Sequence, residues 1–201
     1  MNDIALLKVG TKYTSDHVNR LVKLLPNHRV LCFTDNDKGL KCASAPLPLD
    51  QYNGVEGWWW KLWLFSMQPW QLYLDLDVTP VGDVGDLMAA SGWRAIKDPW
   101  QKCLNTSVVK IGVRGCDLWR AFLHERPDRG PRAHLGDQDF FTRQIGETCS
   151  VWLEDWVVSY KHKILGKGNP KGPEKIPKEC RMVYYHGQPK PWDGEEHAIR
   201  K

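Results

Sequence analysis

Apolar and polar positions fall into blocks from the start of the chain. Residues 3–9, DIALLKV, form a short apolar run, and GTKYTSD after it reads as a turn placing Thr or Ser to cap a helix. Val18, Leu21, Val22 and Leu25 then recur at i, i+3, i+4 and i+7, which predicts an amphipathic helix stopped by Pro26 and Asn27. RVLCFTD, residues 29–35, predicts a strand that ends at Asp35. Strand, helix and strand in about 35 residues open a parallel α/β sheet.

The pattern continues with ASAPLPLDQYNG, a Pro/Gly-rich loop, and WWWKLWLF (58–65), a short helix entering the core. Residues 71–78, QLYLDLDV, alternate as one strand, followed by the turn TPVGDVGDL. After a loop around Asp98 and Pro99, LNTSVVKIG (104–112) predicts a strand, and CDLWRAFLHER (116–126) and GDQDFFTRQIG (136–146) predict helices. WLEDWVVSYKH leads into ILGKGNPKGPEKIPKE, too poor in apolar residues to form core. RMVYYHGQPKPWD then reads as strand plus turn, and GEEHAIRK as a frayed end. There is no internal repeat. The expected organisation is one α/β domain with a mainly parallel central sheet flanked by helices. Residues 1–160 form its core, 161–180 a basic loop, and 181–201 a strand and turn completing the same unit.

Asp75 and Asp77 stand out because residues two apart on a strand share a face, where two like charges repel unless a cation lies between them. They also end an apolar strand, where ligands bind in open α/β sheets. A divalent metal answers both points, and Mg²⁺ or Mn²⁺ takes oxygen ligands, a few from protein and the rest from phosphate and water. HGQPKPW (186–192) offers a second element: His186 for the metal, Gly187 for close backbone approach, and Lys190, fixed between two prolines, for a diphosphate.

Composition narrows the class. With 201 residues, 42% hydrophobic and 26% charged, the chain is long enough for one sizeable core. No basic leader or membrane-length apolar run is present, so a cytoplasmic protein is expected. Six cysteines without a C-x-x-C pair make neither a zinc ribbon nor a dithiol motif, and ordinary thiols are expected. The net charge of +4 is concentrated: seven Lys and Arg from Lys161 to Arg181 face two Glu, a local +5. Most of the eleven Trp are expected in the core, with a minority at the mouth of a site.

Taken in order, D-L-D at a strand end, Asn105 in LNTSVV, GDQDFF and H-G-x-x-K-P-W resemble the GT-A glycosyltransferases, in particular the family-8-like group of glycogenin and bacterial galactosyltransferases. The similarity runs from VGTKY to KPW. It implies a GT-A fold and transfer of a sugar from a nucleotide-sugar, a UDP-sugar, to a hydroxyl with retention, aided by Mn²⁺ or Mg²⁺ at Asp75, Asp77 and His186. It further implies that Asp137 and Gln138 face the anomeric centre. Asn105 would face the donor sugar, Gly187 and Lys190 wrap the diphosphate, and Tyr13 and Asp35 hold base and ribose. Lys61 in WWWKLW is read either as a further donor contact or as an ordinary exposed lysine. Two positions depart from the family pattern. Tyr184 stands where the family has its metal His, shifting that role to His186, and Asn105, Thr106, Ser107 replace Asn-Ser/Ala-Gly.

For the acceptor, the basic segment Lys161 to Arg181 suggests nucleic acid, specifically a hydroxymethylated pyrimidine of viral DNA turned out of the helix. A bacterial glycan or lipopolysaccharide stands near parity with it. No obligatory protein partner is expected. A noncatalytic sugar-binding module would explain the Trp content but not the motif set, and a metal-dependent nuclease would use the Asp and His residues but no sugar nucleotide.

Overall fold

The computed structural model describes residues 3–52, 54–67, 71–112, 117–129 and 136–195. Cys116 and residues 196–201 of the expected frayed end lie outside them. β1 (Asp3–Lys8), α1 (Ser15–Lys23) and β2 (Arg29–Thr34) make the expected unit, with β1 and β2 parallel in register from Asp3 against Arg29 to Lys8 against Thr34. α1 starts at Thr14, whose N–H donates to His17 Nδ1 at 2.9 Å, and it buries Val18 and Leu21. The predicted loop after it contains β3 (Ala43–Pro46), an edge strand parallel to β2.

α2 (Trp60–Ser66) follows, then β4 (Leu72–Leu74) and β5 (Val78–Pro80), α3 (Gly85–Ala89), β6 (Arg94–Lys97) and β7 (Leu104–Lys110). α4 (Leu118–Glu125), α5 (Asp137–Ile145), β8 (Ser150–Val151), β9 (Val157–Ser159) and β10 (Met182–Tyr184) complete the chain. Seven strands form one sheet in the order β3-β2-β1-β4-β7-β6-β8, and β5, β10 and β9 form a smaller one. In the large sheet β7 runs antiparallel to both neighbours and the remaining pairs are parallel.

Alternation along β1 explains the layers. Ala5 and Leu7 pack with Trp60, Phe65, Phe122 and Phe141 from α2, α4 and α5, whereas Ile4 and Leu6 pack with Val18 and Leu21 of α1 and Leu87 of α3. The result is a three-layer α/β/α domain. Five Trp are buried in this core, at positions 59, 60, 93, 119 and 152. The described cysteines 32, 42, 103, 149 and 180 are all free thiols. No helix among the described residues is long and apolar enough to cross a membrane.

Two expectations change. Residues 71–78 are not one strand: β4 stops at Leu74 in the large sheet, and Val78 begins β5, which pairs antiparallel with β10 in the small one. Asp75, Leu76 and Asp77 are the crossing between sheets. The basic segment also contributes to packing. It starts with a π-helical turn, Tyr160–Ile164, and Ile164, Ile176 and Cys180 join a small cluster with Val158, Val183 and Tyr185.

Candidate active site

The sheet directions decide which residues can meet. β1, β2, β4 and β6 run parallel, so their C-terminal ends share one edge, and because β7 runs the other way its first residues lie on that edge too. Asp75, Asn105, Thr106 and Asp98 therefore converge from three strands. α5 brings Asp137 to the same edge in its first turn, and α2 brings Lys61.

Lys61 is the centre of a buried cluster. Its Nζ lies 2.8 Å from Asp75 Oδ1 and 3.6 Å from Asp137 Oδ2. Tyr73 donates its hydroxyl to Asp75 Oδ1 at 2.7 Å, and Thr106 donates to Asp137 Oδ2 at 2.7 Å. Burial alone would lower the Lys61 pKa, but Asp137 and Asp75 outweigh it and hold the ammonium charged, above its ordinary value. One ammonium does not neutralise two carboxylates. Burial accordingly pushes the Asp137 carboxyl above its usual range, with Lys61 and Thr106 opposing and Asp75 adding to the rise.

Asp77 faces a different cation. Lys190 Nζ donates to its Oδ2, and Tyr13 donates its hydroxyl to the same oxygen at 3.1 Å. Burial, then the charges of Asp77 and Asp75, raise the Tyr13 pKa, so it acts as a donor at neutral pH. Tyr13 also meets the Trp192 ring edge-on at 5.9 Å, tying the turn after β1 to the K-P-W turn. Asp75 and Asp77 thus each meet a lysine of the protein, Lys61 and Lys190 respectively.

His186 lies against Asp98, with Nδ1 3.9 Å from Oδ2, and its ring stands edge-on to Trp100 at 4.7 Å. Burial lowers its pKa, opposed by Asp98, which keeps the ring neutral at pH 7. Its Nε2 is buried with no hydrogen-bond partner among the described residues. Such an atom is costly unless something fills its valence, and a neutral imidazole nitrogen is a metal ligand. The charge of Asp77 reaches the same ring. Asp75 and Asp77 offer oxygen and His186 offers nitrogen, the donor types that Mn²⁺ or Mg²⁺ takes. No three His, Cys, Asp or Glu side chains gather into a metal group among the described residues.

A cleft of about 680 Å³ opens beside these groups. Asn105, Asp137, Gln138, His186 and Gly187 line it, with Lys161 and two exposed tryptophans, Trp58 and Trp100. Asn105 is locked by its Oδ1, which accepts from Ser107 N at 2.9 Å, and by its Nδ2, 3.5 Å from Asp98. Gln138 Oε1 lies 3.9 Å from Cys103 Sγ. Gly187 has φ +59°, and Lys161 Nζ lies 3.6 Å from where a Cβ would stand. Asp35 is elsewhere on the edge: it accepts from Gly10 N at 2.7 Å and faces Lys8 at 3.8 Å.

Sequence reasoning missed Asp98, Trp100, Thr106 and Lys161. Asp98 is buried and accepts from the N–H groups of Trp100 and Gln101, both at 2.9 Å, so it shapes the cleft wall while facing His186. An Asp followed by Pro, a turn signal, was its available mark.

No protein-family model matches the sequence, and no curated protein matches it. Solved structures do. The apo glycosyltransferase GlyE of Streptococcus pneumoniae superposes over 96% of this chain at TM-score 0.69 and 15% identity. The galactosyltransferase LgtC, solved with donor and acceptor sugar analogues, superposes over 94% of this chain and 89% of its own at TM-score 0.63 and 12% identity. This chain spans 56% of the length of GlyE. At such identities the likeness is one of fold: the chain has the GT-A glycosyltransferase fold.

Proposed function

We propose that this protein is a glycosyltransferase that moves a sugar from a UDP-sugar to an acceptor hydroxyl with retention of configuration. The observation that carries the reading is the pairing at one sheet edge of Asp77 with Lys190 and of Asp75 and Asp137 with Lys61, beside a 680 Å³ cleft and the unpartnered Nε2 of His186. A noncatalytic sugar-binding module has no use for two lysine–carboxylate clusters gathered at one sheet edge.

Asp77 and His186, with Asp75 beside them, would hold Mn²⁺ or Mg²⁺, which supplies Lewis-acid neutralisation of the donor diphosphate. Lys190 sets a second positive charge where the leaving group becomes negative. Tyr13, tied to Asp77, keeps the turn after β1 in place against the donor. Gln138 presents its amide to the cleft, facing the anomeric centre, while Asp137 is held by Lys61 and Thr106 and orients the start of α5. Asn105 and Gly187, which line the cleft, complete the donor contacts, and Lys61, buried against Asp75 and Asp137, holds those carboxylates in place instead.

For the acceptor, a glycan is favoured over hydroxymethylated DNA. The local +5 is partly offset in the fold: Lys163 bonds Asp155 at 2.6 Å and feels Glu174 and Glu154, and Arg181 bonds Asp86 at 2.7 Å. Lysines and arginines already paired release few counterions on a phosphate backbone. UDP titrated into the protein is expected to bind more than about tenfold more tightly with Mn²⁺ than with a chelator, and Asp77→Ala to remove the difference. Equal affinity in both conditions contradicts the metal assignment.

A further inference from the structure

A second cleft, of about 370 Å³, adjoins the first. Asp98 lines both. Two ring contacts join their walls: His162, in the second cleft, meets Trp100 edge-on at 5.6 Å, and Tyr184, also in the second, meets His186 at 4.8 Å. Ile96, Val157 and Trp152 give it an apolar side, and the segment after the π-helical turn gives it a polar one. That segment is seated firmly. At Gly168, with φ +74°, a Cβ would come within 2.8 Å of Trp100 Nε1, so only glycine lets the chain pack there.

The charges of the second cleft balance. Lys97, Lys163 and Lys171 face Asp98, Glu154 and Glu174. A polyanion gains nothing from such a lining, whereas a ligand of many hydroxyl groups finds donors and acceptors together. Part of this capacity is unspent, because the side chains of Lys97 and Lys171 make no hydrogen bond or ion pair among the described residues. A pyranose ring also has a C–H face, which the apolar side of the cleft matches, and the volume falls in the roughly 300–1,000 Å³ range of small-ligand pockets.

We propose that this cleft is an acceptor subsite. It holds the sugar unit next to the one that receives the transferred sugar, so the acceptor is a neutral oligosaccharide of at least two units. The proposal rests on the glycosyltransferase reading above and adds the acceptor's chemistry and the direction in which it leaves the active site, past Asp98 toward the 161–181 segment.

The test compares acceptor lengths. Transfer is measured from UDP-glucose, UDP-galactose and UDP-N-acetylglucosamine, with Mn²⁺, to methyl glucoside, methyl galactoside and methyl N-acetylglucosaminide, and to maltose, lactose and chitobiose. The preferred disaccharide is expected to exceed its monosaccharide by about tenfold or more in kcat/KM. The Lys97→Ala/Lys171→Ala double variant, and separately the cleft-filling Lys171→Trp, are expected to bring that ratio close to one. A wild-type ratio near one overturns the proposal, as does a ratio that neither variant moves. Donor consumption with no saccharide accepted, or transfer only to duplex DNA carrying 5-hydroxymethylcytosine, overturns this subsite and leaves the transferase reading standing. No consumption of any donor overturns both.

Discussion

Lys190→Ala is expected to lower kcat for sugar transfer by about 10²–10³-fold, the usual loss when one fixed charge-stabilising group is taken from a transition state. The argument is geometric. Lys190 is anchored through its backbone N–H to Asp193 Oδ2 at 2.7 Å and points its ammonium at Asp77, so its charge is placed before the donor arrives. A leaving nucleoside diphosphate gains charge on the way to the transition state, so the interaction strengthens as the bond breaks. The loss should therefore appear in kcat more than in KM for the donor. Lys190→Arg keeps the charge and should retain activity to within about tenfold, although a guanidinium is not a point charge. Steady-state kinetics on the two variants check this. A loss confined to KM would mean that Lys190 only binds donor.

The largest stability effect is expected at Lys61. Lys61→Met preserves the length of the side chain and its buried stem but leaves Asp75 and Asp137 facing each other without a cation. Removing one partner of a buried charge cluster costs about 3–5 kcal/mol, because the remaining charge stays desolvated. The Thr106 and Tyr73 hydroxyls still bond the carboxylates, which soften the loss but do not cancel it. The pH dependence has a definite sign. Asp137 already has a raised pKa from burial, and losing Lys61 raises it further. A carboxyl whose folded pKa lies above its unfolded value destabilises the fold at high pH, and that penalty fades as pH falls through the folded pKa toward about 4. The deficit of Lys61→Met should thus be greatest at pH 7 and above and shrink in acid, and Asp137→Asn added to it should recover part of the loss. Urea unfolding at pH 7 and 5 measures both. A deficit below about 1 kcal/mol at pH 7 would show that Lys61 does not neutralise the pair.

How far the sequence carries such arguments depends on what each element asks of it. The first β-α-β unit was legible because its two periods, 2 and 3.6, change cleanly at GTKYTSD. Residues 71–78 misled for an instructive reason. Leu72, Leu74, Leu76 and Val78 are all buried, so the alternation runs unbroken while the hydrogen bonds pass from one sheet to another. Burial sets the pattern, and pairing partners leave no mark on it. The short strands β3 and β8 lie at the two edges of the large sheet with mostly exposed residues, so neither shows an apolar run. At the site, the D-L-D, D-Q and K-P-W residues come together at one edge. Which lysine meets which carboxylate needed the fold, because Lys61 reaches Asp75 and Asp137 across 14 and 76 positions of chain. Asp35, expected at the base and ribose, accepts from Gly10 N and faces Lys8 at the end of β2.

The most direct test of the glycosyltransferase reading is donor turnover by the purified protein. UDP- and GDP-sugars are supplied with Mn²⁺, and nucleoside diphosphate release is followed with and without a saccharide acceptor. The account predicts slow release of UDP from at least one UDP-sugar, accelerated by the acceptor and abolished by a chelator and by Asp77→Ala. Release of no nucleoside diphosphate from any donor, with either Mn²⁺ or Mg²⁺, would contradict it.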